Sequence, residues 1–119
     1  AGSAFPQKAG WLLKRGFTFK TWHRRWFSVE NGALVYRAHP EAAALKGAVP
    51  LNLIKSVYRT DNIKLTKPKY FNNTVCLEVD WRKYILVADT PEEARQWNYF
   101  LFQCWQLARG VTDFTRMIY

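Results

Sequence analysis

Cations without counter-charge are the chemically active feature of this chain. Residues 8–29, KAGWLLKRGFTFKTWHRRWFSV, include six Lys or Arg (Lys8, Lys14, Arg15, Lys20, Arg24 and Arg25) and no Asp or Glu. Convergent ammonium and guanidinium N–H groups make charge-assisted hydrogen bonds to anionic oxygens, roughly twice as strong as neutral ones. The ligand that suits them is a small, highly charged anion such as a phosphate. Other chemistries lack their residues: there is no paired acid and base, nucleophile elbow, Gly-rich phosphate loop or metal cluster. No enzymatic activity, cofactor or metal is therefore expected. His23 and His39 stand apart from any Cys or Asp cluster. Cys76 and Cys104 fall in apolar surroundings, as expected of buried free thiols in a reducing compartment.

An anion site needs elements that turn these cations toward one point. Two apolar-rich runs, WLLK and WHRRWFSV, flank the loop GFTFK. Side chains of a strand alternate between faces, so Leu12 and Lys14 share one face of the first run, and Arg25, Phe27 and Val29 one face of the second. Paired as a hairpin, the runs bring Lys14 and Arg25 together at the polar end of otherwise buried stripes. An unpaired inward charge is costly, which favours an anion site over a solvated basic edge, the ordinary use of edge lysines. Phe17 and Phe19 sit in the loop between Arg15 and Lys20. Packing onto the body of the protein and wedging into a membrane interface are both open to them.

The remaining elements follow by pattern. Asn31-Gly32 tolerates positive φ at both positions and marks a tight hairpin into a third strand at 33–37. Residues 39–46, HPEAAALK, read as a loop with one turn. Strands are expected at 48–53, 55–59, 74–79 and 84–88, with a Lys-rich connection at 60–73 (Lys64, Lys67, Lys69) and a turn at 80–83. Thr90-Pro91-Glu92-Glu93 supplies an N-cap hydroxyl, Pro at the first helical position and a Glu that completes a capping box. Ala94, Trp97, Leu101, Cys104 and Ala108 then form one helical face, with Gly110 at the C-terminal end. Tyr99, Phe100, Phe102 and Trp105 lie off that face. Either the tail VTDFTRMIY folds over them or they form a protein-partner surface.

Composition bounds the class. The 119 residues make one domain, 1–119, and 49% apolar content excludes a disordered chain. A net charge of +9 points to a polyanionic partner: membrane, nucleic acid or acidic protein. No run reaches the roughly 18 apolar residues of a spanning helix, and residues 1–5 lack a signal-peptide pattern.

The residues carry a family resemblance. K-x-G-W-L-x-K-R-G, a short loop and F-K-T-W-x-R-R-W-F resemble the opening hairpin of a pleckstrin homology (PH) domain, especially those of membrane-binding kinases and Arf GTPase-activating proteins. TPEEARQW, with Trp97, resembles the start of that family's closing helix. The likeness spans about 8–109, leaving 110–119 as a tail. It implies a mainly β fold: a seven-stranded, strongly bent antiparallel barrel capped by a C-terminal α-helix, with a phosphoinositide headgroup often held at the open end. Members selective for polyphosphorylated phosphoinositides usually carry a Lys in the first strand and two Arg or Lys, one apart, in the second. Lys14 and Arg25 match, but His23 takes the remaining position. A His supplies at most partial charge near neutral pH, so a monophosphate lipid, a bisphosphate or phosphatidic acid all stay open.

The function expected is noncatalytic recruitment to an anionic phospholipid membrane on the cytosolic face. Lys14, Arg15, Lys20, His23 and Arg25 would contact the headgroup, with Arg24 at a second shallow site on the opposite face and Phe17 and Phe19 at the membrane. The alternative is a protein or phosphopeptide module of the same architecture, laying a strand along a sheet edge. Nucleic acid is disfavoured because no Gly- and aromatic-rich RNA-binding strand motif is present.

Overall fold

The computed structural model describes residues 7–19 and 21–110. Seven strands form one antiparallel sheet: β1 Ala9–Arg15, β2 Trp22–Glu30, β3 Ala33–Arg37, β4 Gly47–Pro50, β5 Ser56–Arg59, β6 Thr74–Val79 and β7 Arg82–Val87. Their order is β4-β3-β2-β1-β7-β6-β5, so the sheet ends on β4 and β5 and the barrel is not closed by a ladder between them. The helix α1, Pro91–Ala108, packs against β5, β6 and the two 3-10 turns at Leu51–Leu53 and Pro68–Asn73. The seven antiparallel strands and C-terminal helix of the expected barrel are present, in one sheet that is not closed.

Local chemistry explains the sharp features. Asn31 and Gly32 both adopt positive φ, 52° and 77°, which matches the hairpin twist between β2 and β3. The Thr90 hydroxyl accepts the Glu93 N–H at 3.1 Å and Pro91 opens the helix, so α1 starts where its sequence says. Gly110 takes φ 71° and donates to the Leu107 carbonyl at 3.1 Å, stopping the helix. Gly47 is required by close approach, because a Cβ there would overlap the Tyr36 hydroxyl.

The core follows the predicted stripes. Leu12, Phe27 and Val29 are buried on the inner face with Leu34, Val49, Leu77, Leu86, Trp97 and Leu101. Phe27 stacks on Tyr36 with centroids 5.1 Å apart. Each such side chain contributes about 1.5–3 kcal/mol on burial.

Three local expectations are corrected. The strand expected over 48–53 ends at Pro50, where the missing N–H halts the ladder; the next residues turn in 3-10 geometry and bury Leu51 and Ile54. The turn at 80–83 is tighter than expected, and β7 begins at Arg82. Phe100, placed off the buried helical face, is only 6% exposed and meets Trp97 edge-on at 5.8 Å. Tyr99 and Phe102 are exposed, with Phe102 stacked on Trp105 at 5.4 Å. The tail proposed to cover them, 111–119, lies outside the described residues.

Candidate functional site: the cationic mouth of the barrel

The hairpin pairs Leu12 with Arg25, Lys14 with His23 and Arg15 with Trp22. Lys14, His23 and Arg25 therefore face one way, and Arg15 and Arg24 the other. Lys14 ends the buried stripe begun by Leu12. It is 9% exposed, and its Nζ lies 5.1 Å from the Tyr36 ring centroid. Burial, reinforced by the Arg82 and Arg25 guanidiniums, lowers its pKa from 10.5 to about 8. Arg25 is half-buried and donates from Nη1 to the Arg24 carbonyl at 3.0 Å. His23 lies at the exposed rim, its Nε2 2.9 Å from the Thr21 hydroxyl.

Arg82 is the residue that pattern reading missed. Its guanidinium lies 4.1 Å from the Tyr84 ring centroid and 4.9 Å from that of Phe17, and Nη2 donates to the Arg15 carbonyl at 3.4 Å. Its Nε is buried without a hydrogen-bond partner. A two-residue turn at Asp80-Trp81 would have put Arg82 on the alternating face of Tyr84 and Leu86 and revealed it. Among the described residues no ion pair takes in Lys14, Arg25 or Arg82. The mouth of the barrel thus gathers, among the described residues, Lys14, Arg25 and Arg82 without an ion-pair partner.

The other candidates have structural partners. Arg24 pairs with Asp89 through contacts of 3.0 and 3.3 Å and stacks 5.0 Å from the Trp11 centroid. Arg15 donates from Nη1 to the Lys64 and Leu65 carbonyls at 3.1 and 2.9 Å. Lys8 covers Trp97 at 5.1 Å, away from the mouth. Lys20 lies outside the described residues.

The loop between β1 and β2 is held by its backbone. The Gly16 N–H donates to the Thr21 carbonyl and the Thr21 N–H to the Phe19 carbonyl, both at 2.7 Å. A Cβ at Gly16 would overlap that Phe19 carbonyl, so the turn needs glycine. Phe17 is 66% and Phe19 78% exposed, which answers the choice between core packing and display in favour of display. Among the described residues no group of His, Cys, Asp or Glu could hold a metal. No helix there is long and apolar enough to cross a membrane. Cys76 and Cys104 are free and buried; burial pushes the Cys104 thiol up to about 11 and raises Cys76 as well.

A family model described as PH domain matches residues 6–104. The chain belongs to the PH domain family. PH domains are generally noncatalytic modules. The chain is 32% identical over 111 residues to pleckstrin homology domain-containing protein 1 of Arabidopsis thaliana, covering 91% of this chain and 75% of that protein. Human cytohesin-4 is 39% identical over 59 residues; that match covers 50% of this chain and spans 15% of cytohesin-4. The C-terminal PH domain of human pleckstrin superposes with TM-score 0.69 at 27% identity, covering 85% of this chain and 88% of that domain. That pleckstrin domain has also been solved in complex with D-myo-Ins(1,2,3,4,5)P5, with TM-score 0.65, 27% identity and 82% and 95% coverage.

Proposed function

We propose that this PH domain recruits its parent protein to the cytosolic face of a membrane by binding an anionic phospholipid headgroup, a phosphoinositide or phosphatidic acid, in the mouth formed by Lys14, His23, Arg25 and Arg82. The observation that carries the reading is Lys14: a buried ammonium with two guanidiniums nearby and, among the described residues, no ion pair to neutralise it. A phosphate supplies the missing counter-charge and several acceptor oxygens at once. The pleckstrin domain's complex with an inositol pentakisphosphate supports the ligand class. The exposed Phe17 and Phe19 favour a lipid over a free phosphate, since only a membrane offers hydrocarbon to bury their rings. Each Lys or Arg near an anionic leaflet adds about 1 kcal/mol, and a fully buried Phe about 1.5–3 kcal/mol. Weak, reversible docking follows, with a second attachment needed for stable residence.

The test is sedimentation with liposomes of phosphatidic acid, phosphatidylserine or single phosphoinositides at two salt concentrations. Lys14→Ala and Arg25→Ala should abolish most binding to the preferred lipid, while Arg24→Ala, on the outer face, should lose much less. Equal losses from all three, with binding that vanishes at moderate salt whatever the lipid, would replace the pocket with diffuse electrostatics.

A further inference from the structure

We infer that the connection at 60–73, between β5 and β6, is a second point of membrane insertion with Ile63 at its apolar tip, set beside the first hairpin by Arg15. The inference rests on the membrane reading above and commits to an anionic lipid bilayer as the occupant. A lone exposed apolar residue means little on a protein surface. Ile63, 70% exposed, differs because its loop is built to display it. The Leu65 and Thr66 N–H groups donate to the Asn62 carbonyl at 2.9 and 3.0 Å. The Lys64 N–H donates to Asn62 Oδ1 at 2.9 Å, and the Asn62 N–H to Thr60 Oγ1 at 3.0 Å. Behind this turn, the Thr66 and Thr74 hydroxyls share a buried hydrogen bond of 2.9 Å that ties the loop to β6. A loop with its own polar groups satisfied does not need Ile63 outside for its geometry.

Position supplies the second observation. The two carbonyls bonded by Arg15 belong to Lys64 and Leu65, the residues directly after Ile63. Arg15 and Trp22 are the last β1–β2 pair, the root of the loop that exposes Phe17 and Phe19. Arg15, Trp22, Ile63, Lys64 and Leu65 line one cleft of about 230 Å³. Ile63 therefore stands at the end of the molecule that carries the first apolar tip. Charge agrees: Lys64, Lys67 and Lys69 are all exposed, against the single acid Asp61. Lysines around an apolar tip match the headgroup and hydrocarbon layers of an anionic bilayer. Two tips fix the tilt of the domain where one leaves it free to swivel. Arg15 is then a positioning residue, acting through the loop it holds.

The experiment attaches a polarity-sensitive fluorophore to the full chain carrying Ile63→Cys. Buried native thiols with raised pKa values leave the introduced one as the reactive site. With phosphatidylcholine vesicles containing phosphatidylserine and a phosphoinositide, emission should shift to the blue and become shielded from aqueous iodide; pure phosphatidylcholine should give neither. Ile63→Ser should lower vesicle affinity about fivefold, the effect of half-burying one Ile, and leave binding to soluble inositol hexakisphosphate unchanged. Arg15→Ala should suppress the shift of the fluorophore at Ile63→Cys while one at Phe17→Cys still responds. If a fluorophore at Phe17→Cys responds to vesicles and one at Ile63→Cys does not, the second tip is refuted while membrane recruitment stands. If neither responds and no vesicle sediments the protein, both readings fall. Loss of inositol hexakisphosphate binding in Arg15→Ala, with the Ile63→Cys shift intact, would make Arg15 a direct ligand and overturn its positioning role.

Discussion

Replacing Lys14 by Met should stabilise the protein while disabling its site. The ammonium is held at a pKa of about 8 rather than 10.5, and at about 1.4 kcal/mol per pH unit that difference is ~3 kcal/mol against keeping it charged in the fold. Met retains the apolar stem but loses the contact with the Tyr36 ring, which offsets about 1 kcal/mol. A net gain of about 2 kcal/mol remains. For 119 residues the unfolding entropy makes each kcal/mol worth about 4 °C, so Tm at neutral pH should rise by about 8 °C. The pH dependence is the stricter check. Because the folded-state pKa lies below the unfolded one, the unfolded chain binds more protons between about 8 and 10.5, and wild-type stability gains across that window. The gap between Lys14→Met and wild type should be full below pH 8 and close toward 10.5. Thermal denaturation of both proteins at matched pH values measures it. An unchanged Tm at neutral pH, or a gap that stays constant as pH rises, would refute the view that Lys14 is an uncompensated buried cation.

Phe17→Ser with Phe19→Ser should weaken vesicle binding far more than binding to soluble inositol hexakisphosphate and leave Tm within about 2 °C, since exposed surface changes cost little; a large drop in Tm would return the rings to the core. His23→Arg puts a permanent cation opposite Lys14, so affinity for anionic vesicles should rise. Liposome sedimentation reads this out, and an unaltered affinity would place His23 outside the site. Gly47→Ala should destabilise by about 1–3 kcal/mol, because the new methyl must displace the Tyr36 hydroxyl. Chemical denaturation measures that loss, and a neutral result would mean that β4 can shift away from β3.

What was legible in the sequence was whatever has a short period. The twofold alternation of β1 and β2 placed Lys14, Arg25, Phe27 and Val29 on the inner face, and the Thr90-Pro91 cap set the start of α1. Arg82 stayed hidden for a physical reason: it meets Lys14 only through the return of β7 along β1, where Lys14 pairs with Leu86. The local turn at Asp80-Trp81 fixes the face of Arg82, but only the pairing of β7 with β1 brings it to Lys14. Arg15 meets the same limit. Its composition-level role is a cation, but the carbonyls that engage it lie 49 and 50 residues away. Phe100 was assigned by helical spacing alone, whereas the buried arc of α1 widens to meet the sheet and both 3-10 turns.

The hairpin's alternation also divides its strand cations into two populations with different physics. Outward cations are occupied: Arg24 holds Asp89 and lies over Trp11, and Arg15 fastens the loop after β5. Together with the exposed lysines they form a field that attracts any anionic surface, and salt screens it beyond about 8–10 Å. Inward cations contribute little to that field and, among the described residues, have no ion-pair partner, so their contribution requires contact with a phosphate at close range. Such contacts are screened much less than exposed ones. Raising salt should therefore slow association with anionic vesicles through the outer population, while the dissociation rate follows the inner one. Arg24→Ala and Lys14→Ala should separate along that line, the first changing chiefly the salt dependence of association and the second chiefly dissociation. Stopped-flow measurement at two salt concentrations reads both rates. If Lys14→Ala altered association alone, the mouth would be one more patch of the general field and the inward-facing Lys14 would have no special part in binding.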